Sequence, residues 1–208
     1  KGEAREAIKP KILEQQKEMQ TVEEMLCLVS TECGVGVKQN SKGNKEVWIG
    51  GKLHISAVDG DIPIIAFYSG ANVHDSSVSL PLIQETSKRV NYLYDLQDAG
   101  YDADIIREFS TALGHRPIID INPKNSKELK VKIEVQKDEQ KKFEMLSLVQ
   151  SSDTHHYNQR SMVERVNKYL KEDFGCNTIY YQGATKVASV LAFGILSVCI
   201  HQSLKLVT

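Results

Sequence analysis

Two apolar, β-branched stretches, "VWIGGKLHISAV" (Val47–Val58) and "IPIIAFYSG" (Ile62–Gly70), are separated only by Asp59, Gly60 and Asp61. Both stretches have the composition of strands, and the Asp-Gly-Asp joint is turn chemistry, because Asp and Gly tolerate the positive φ of tight hairpins. The pair is therefore expected as an antiparallel hairpin. Parallel neighbours would need a long crossover between them, usually a helix, and three residues leave no room for one.

The remaining elements are set around that hairpin. "MLCLVSTE" (Met25–Glu32) is short and apolar and reads as a buried first strand, followed by a loop, "CGVGVKQNSKGNKE". "HDSSVSLPLIQETSKRV" suits a helix with Asp75 or a nearby Ser as N-cap. "NYLYDLQD" reads as a strand, "DADIIREFSTALG" as a helix ending at Gly114, and "RPIIDIN" as a further strand. Two closing helices are expected, over about Tyr157–Phe174 and Gly183–His201. Three antiparallel strands, then helix, strand, helix, strand and helices make an α/β fold. It is the ribonuclease H-like arrangement, a mixed five-stranded sheet with helices on both faces. A flavodoxin-like sheet would put a helix where the Asp59 hairpin stands.

Residues 1–24 read as a polar helical lead-in or linker, interrupted by Pro10, outside a core that spans 25–205. Residues 123–153 are rich in Lys and Glu and read as an exposed, partly helical insertion. With 26 basic and 27 acidic residues the chain has no global basic field, so a nucleic-acid partner must be held by local patches. The four cysteines form no CxxC pair, which argues against a zinc site or disulfide framework and for a reducing, cytoplasmic setting. The N-terminal stretch has no signal-peptide core. The apolar run Val187–Ile200 falls short of a membrane span and is expected as a buried helix.

Two places carry candidate chemistry. Asp98 lies where a strand runs out into "DAGYDA", a position from which a carboxylate can enter a crevice and hold a magnesium ion, or cap the turn that follows. On a helical wheel starting at Tyr157, the polar residues Arg160, Glu164, Lys168 and Lys171 fall within a stripe about 80° wide. Met162, Val163, Val166, Tyr169 and Leu170 occupy the opposite face, as in a helix packed on a sheet. The stripe reads either as a solvated face with an Arg160–Glu164 i, i+4 pair or as an acid flanked by phosphate-binding cations.

Five segments together decide between those readings: "GVKQNSKGNKEVWIGGKLHIS", "DGDIPIIAFYSGANVHDS", "LQDAGYDA", "PIIDINPK" and "YNQRSMVERVNKYLK". Over roughly Leu28–Leu204 the chain resembles the catalytic domain of the DDE transposases of bacterial insertion sequences. The last segment matches that family's tyrosine, arginine, glutamate, lysine signature as Tyr157, Arg160, Glu164 and Lys171. The resemblance implies a ribonuclease H-like domain and two-metal hydrolysis and transesterification of transposon-end phosphodiesters, with Mg2+ or Mn2+ held by carboxylates. It implies Asp98 and Glu164 as catalytic, metal-binding acids, and Arg160, Lys171 and Tyr157 as contacts to DNA. The implied partner is double-stranded DNA, transposon ends and target, handled by a homodimer in the cytoplasm and away from any membrane. The lead-in is too short for the separate helical DNA-binding region such proteins carry upstream.

One departure bears on all of this. The family's first acid corresponds to Val29 in "LVSTEC", and an isopropyl group cannot ligate a metal. Side-chain alternation turns Glu32 to the other face of a strand, and Asp59 and Asp61 are accounted for by their turn. Cleavage is therefore expected to be weakened or lost, with a non-catalytic DNA- or partner-binding module on the same fold as the alternative. Lys168 on the stripe, and Lys38 and Lys42 in the Gly- and Asn-rich loop, are further candidates for DNA phosphates. Trp48 reads as core or as a surface on which a base stacks, and His54 as a hydrogen-bonded strand residue.

Overall fold

The computed structural model describes residues 11–39, 43–122, 127–147, 156 and 158–207. Tyr157, Lys42 and the ends of the 123–153 insertion lie outside them. The expected hairpin is present: β2 (Lys45–Val58) pairs antiparallel with β3 (Ile62–Gly70), from Val58 opposite Ile62 to Gly51 opposite Gly70. Gly60 at φ 82° and Asp61 at φ 58° make the turn, the backbone for which that dipeptide was suited.

The first strand is not the expected one. β1 is Gly34–Gln39, antiparallel to β2 with Gly34 opposite Gly50 and Gln39 opposite Lys45. The stretch "MLCLVSTE" instead supplies the end of helix α2 (Val22–Cys27) and the turn after it. Thr21 caps that helix by accepting from the Glu24 amide, while the Glu24 carboxylate reaches back to the Thr21 amide, a closed capping box. The local caps outweigh the strand propensity of the apolar residues that follow.

The five-stranded sheet is likewise corrected. Among the described residues the strands form a three-stranded sheet, β1-β2-β3, and a separate parallel pair, β4 (Tyr94–Gln97) with β5 (Arg116–Ile119). Helix α3 (Ser79–Arg89) and helix α4 (Asp104–Ala112) connect them in α/β order. A 3-10 turn, Asp75–Val78, precedes α3, and the His74 side chain caps it where Asp75 or a Ser was expected.

The described part of the lead-in, from residue 11 on, packs on the core. Helix α1 (Ile12–Lys17) buries Gln16 completely, and Leu13 and Met19 pack on a cluster of Met25, Leu80, Ile83, Ile106 and Ile119. Gln16 Nε2 donates to Met25 O at 3.1 Å and to Ser77 O at 2.8 Å, tying α1 to α2 and to the turn before α3.

A second cluster, Val166, Leu170 and Val198, packs on Leu53, Ile55 and Ala57 of β2. It joins helix α6 (Ser161–Lys168), its π-helical extension Tyr169–Asp173 and helix α7 (Ala184–Val207) to the three-stranded sheet. Within the insertion, α5 (Lys127–Ser147) is a single helix. Helix α7 is longer than its apolar run and is not the buried helix expected. Leu191, Gly194, Val198 and Gln202 are buried, whereas Phe193, Leu196, Ile200 and Leu204 are exposed. By length and composition α7 is apolar enough to cross a membrane, although one flank packs against β3 and α6.

Candidate functional site

Asp98 closes β4 and caps the 3-10 turn Ala99–Tyr101. Its Oδ1 accepts from the Gly100 amide at 2.7 Å, and a Cβ on Gly100 would stand 2.9 Å from that oxygen, so glycine lets the loop close on the carboxylate. The capping alternative is thus what this oxygen does. The other oxygen, Oδ2, lies 4.0 Å from Arg160 Nη1.

Arg160 is the residue immediately ahead of α6, and Glu164 stands one turn along it with Oε1 3.4 Å from the same Nη1. Two acids separated by 66 places in the chain therefore converge on one guanidinium. The α6 stripe brings this about, because Val166 and Leu170 bury the opposite side of the helix against β2. Lys168 ion-pairs with Glu172, its i, i+4 neighbour, at 3.8 Å.

Val29 occupies the turn after α2, where its amide donates to Leu26 O at 2.9 Å, and its side chain is buried. The next carbonyl, Ser30 O, accepts from the Gly70 amide at 2.8 Å, which anchors this segment beside the end of β3. Thr31 and Glu32 then line a groove of about 1390 Å³ together with Lys38, Trp48, Tyr101 and Lys171. Of the expected site residues, Asp98, Arg160 and Glu164 come together, and Lys38 and Lys171 share the groove beside them. Tyr101, the last residue of the turn that Asp98 caps, lines the groove and feels the Asp98 charge.

Sequence reasoning missed a second polar cluster on the groove wall. Lys52 Nζ donates to Val73 O at 2.9 Å and to Asp75 Oδ1 at 3.0 Å, and His54 Nδ1 lies 4.0 Å from the same carboxylate oxygen. His54 is buried, with Nε2 2.7 Å from Ser69 Oγ, in keeping with a hydrogen-bonded strand residue. Burial pushes its pKa below the ordinary value, the Asp75 charge opposes that, and Lys52 adds to it. Burial raises the Tyr101 hydroxyl strongly, and the charges of Asp75 and Asp98 raise it further. The usable signal was alternation: Lys52 and His54 are two apart on β2 and share a face.

Asp61 also does more than make its turn. Its carboxylate takes Arg165 Nε at 2.8 and 2.9 Å and Nη2 at 2.7 Å, pinning the hairpin to α6.

The donor set at Asp98 does not suit a pair of divalent cations. Of its two carboxylates, one has an oxygen committed to a backbone amide and both face a guanidinium. Among the described residues no three His, Cys, Asp or Glu side chains are placed to share a metal ion. What the arrangement presents is a cationic group, Arg160, facing two acids, with Lys38 and Lys171 lining the groove. The contacts of 3.4 and 4.0 Å are longer than a strong charge-assisted bond.

A family model described as the transposase DDE domain matches residues 30–200. No curated protein matches the chain. No solved structure matches it.

Proposed function

This chain belongs to the transposase DDE domain family, and from that premise we propose that it is a transposase-derived DNA-binding domain in which strand cleavage and transfer are weakened or lost. We place it with the Tyr-Arg-Glu-Lys transposases of insertion sequences, on the order and spacing of Tyr157, Arg160, Glu164 and Lys171. The observation that carries the reading is the convergence of Asp98 and Glu164 on Arg160, and the weakened cleavage follows from the buried Val29, which we take as the first acid position.

In such domains carboxylates hold Mg2+ or Mn2+, and Asp98 and Glu164 are the residues that would do so here. The bound metals would supply an activated nucleophile and a stabilised leaving oxygen. Because the donor set fits that task poorly, the chain's own residues act mainly on the DNA backbone. Arg160, where Asp98 and Glu164 meet, contacts a phosphate, and Lys171 and Lys38 hold the strand along the groove. Lys168 is held in reserve by Glu172. Tyr157, by the family pattern, and Lys42, by its place in the Gly- and Asn-rich loop, complete the phosphate-binding set. The partner is double-stranded DNA, transposon ends and target, bound in the cytoplasm by paired copies without membrane attachment.

Metal-dependent nicking of a labelled DNA end tests the proposal by comparing the unmodified chain with Val29→Asp. The reading requires cleavage at background by the former. Salt-sensitive binding of the same DNA must persist in both.

A further inference from the structure

The groove holds two aromatic rings that are set in the same way. The Trp48 indole lies across Gly36 on the neighbouring strand, so closely that a Cβ at Gly36 would overlap its ring atoms, and Gly36 is buried beneath it. The Tyr68 phenol lies across Gly51 with the same consequence. In each case backbone closes one side of the ring, while the residue lines the groove. The glycines that weaken β1 and β2 as strands are what admit the rings.

We propose that this groove is a binding site for an unpaired DNA strand, with Trp48 and Tyr68 as stacking surfaces and Lys38 and Lys171 as phosphate contacts. The proposal rests on the DNA reading above and specifies the form of the DNA. A volume of about 1390 Å³ exceeds the roughly 300–1,000 Å³ of small-molecule pockets and suits a length of polymer. Aromatic side chains interleaved with cations are the composition that binds single strands, because every base offers a π-face to a ring once it leaves the duplex stack. A duplex keeps those faces covered, so it can use the lysines but not the rings. Glu32 and Glu46 on the same walls keep the groove from being a general polyanion site and make stacking decisive.

Trp48 is the single tryptophan of the chain, so its emission reports on this groove alone. The unmodified chain is titrated with an oligothymidine of about ten nucleotides and with a duplex of the same length, following Trp48 fluorescence and the anisotropy of end-labelled DNA. Expected are quenching by the oligothymidine, tighter binding of it than of the duplex, and a slope of log affinity against log salt near −1.4 for two phosphate contacts. Trp48→Ala and Tyr68→Ala should each weaken oligothymidine binding about tenfold, with Trp48→Phe retaining most of it. Circular dichroism confirms that each variant is folded. Equal affinity for duplex and oligothymidine, binding without quenching, or a folded Trp48→Ala chain that binds like the parent would overturn the proposal while leaving the DNA reading intact. Failure to bind either DNA would overturn both.

Discussion

Arg160 Nη1 lies 4.0 Å from Asp98 Oδ2, across the gap between the end of β4 and the start of α6. The contact joins the parallel strand pair to the helix that packs on the three-stranded sheet.

If Arg160 and Lys171 hold DNA phosphates, Arg160→Ala and Lys171→Ala should weaken duplex binding about equally for all sequences. Each should lower the magnitude of the salt slope by about 1. Filter binding or anisotropy over a salt series measures both. A variant that lost affinity with an unchanged slope would point to a packing role instead.

The burial of Gln16 makes α1 part of the fold. Gln16→Leu leaves the carbonyls of Met25 and Ser77 without the donor that bridges them and should cost about 1–3 kcal/mol. Urea unfolding reads this directly, and a neutral result would detach α1 from the core.

Asp61 and Arg165 link the hairpin turn to α6 through a bidentate contact. With Arg165 about half exposed, screening limits the pair to roughly 1 kcal/mol. Asp61→Asn and Arg165→Ala should each cost about that much, and the double variant little more than either. Additive losses would show that the two residues act separately.

The depressed pKa of His54 gives stability a definite pH dependence. Its pKa lies below the ordinary 6.5 in the folded chain, so the unfolded chain binds the extra proton first as pH falls. The contribution is full above about pH 6.5 and is lost as pH drops through the folded value. The Asp75 carboxylate opposes the burial that causes the shift, and Lys52 reinforces it. Unfolding midpoints measured near pH 7.5 and 5.5 should converge in His54→Gln relative to the parent. An unchanged pH dependence in the variant would assign the effect to other groups.

The hairpin was legible because its turn chemistry is local, and the α6 stripe because helical spacing is. The first strand was not. Apolar "MLCLVS" reads as a strand, yet Thr21 and Glu24 just ahead of it carry a capping box, a helix-start signal with a stronger local claim. "GVGVKQ" was hidden by its glycines, whose purpose appears only once Trp48 is seen lying on Gly36. The Asp61–Arg165 pair spans 104 residues and has no sequence signature. The α7 run showed that the helix would be apolar but not which flank would be covered.

The most direct measurement of the central claim is metal-dependent nicking of a transposon-type DNA end by the unmodified chain, in Mg2+ and in Mn2+, beside Val29→Asp. The account predicts background cleavage by the parent, with any gain appearing only when the carboxylate is restored at position 29. Cleavage by the parent at the rate of Val29→Asp would contradict it.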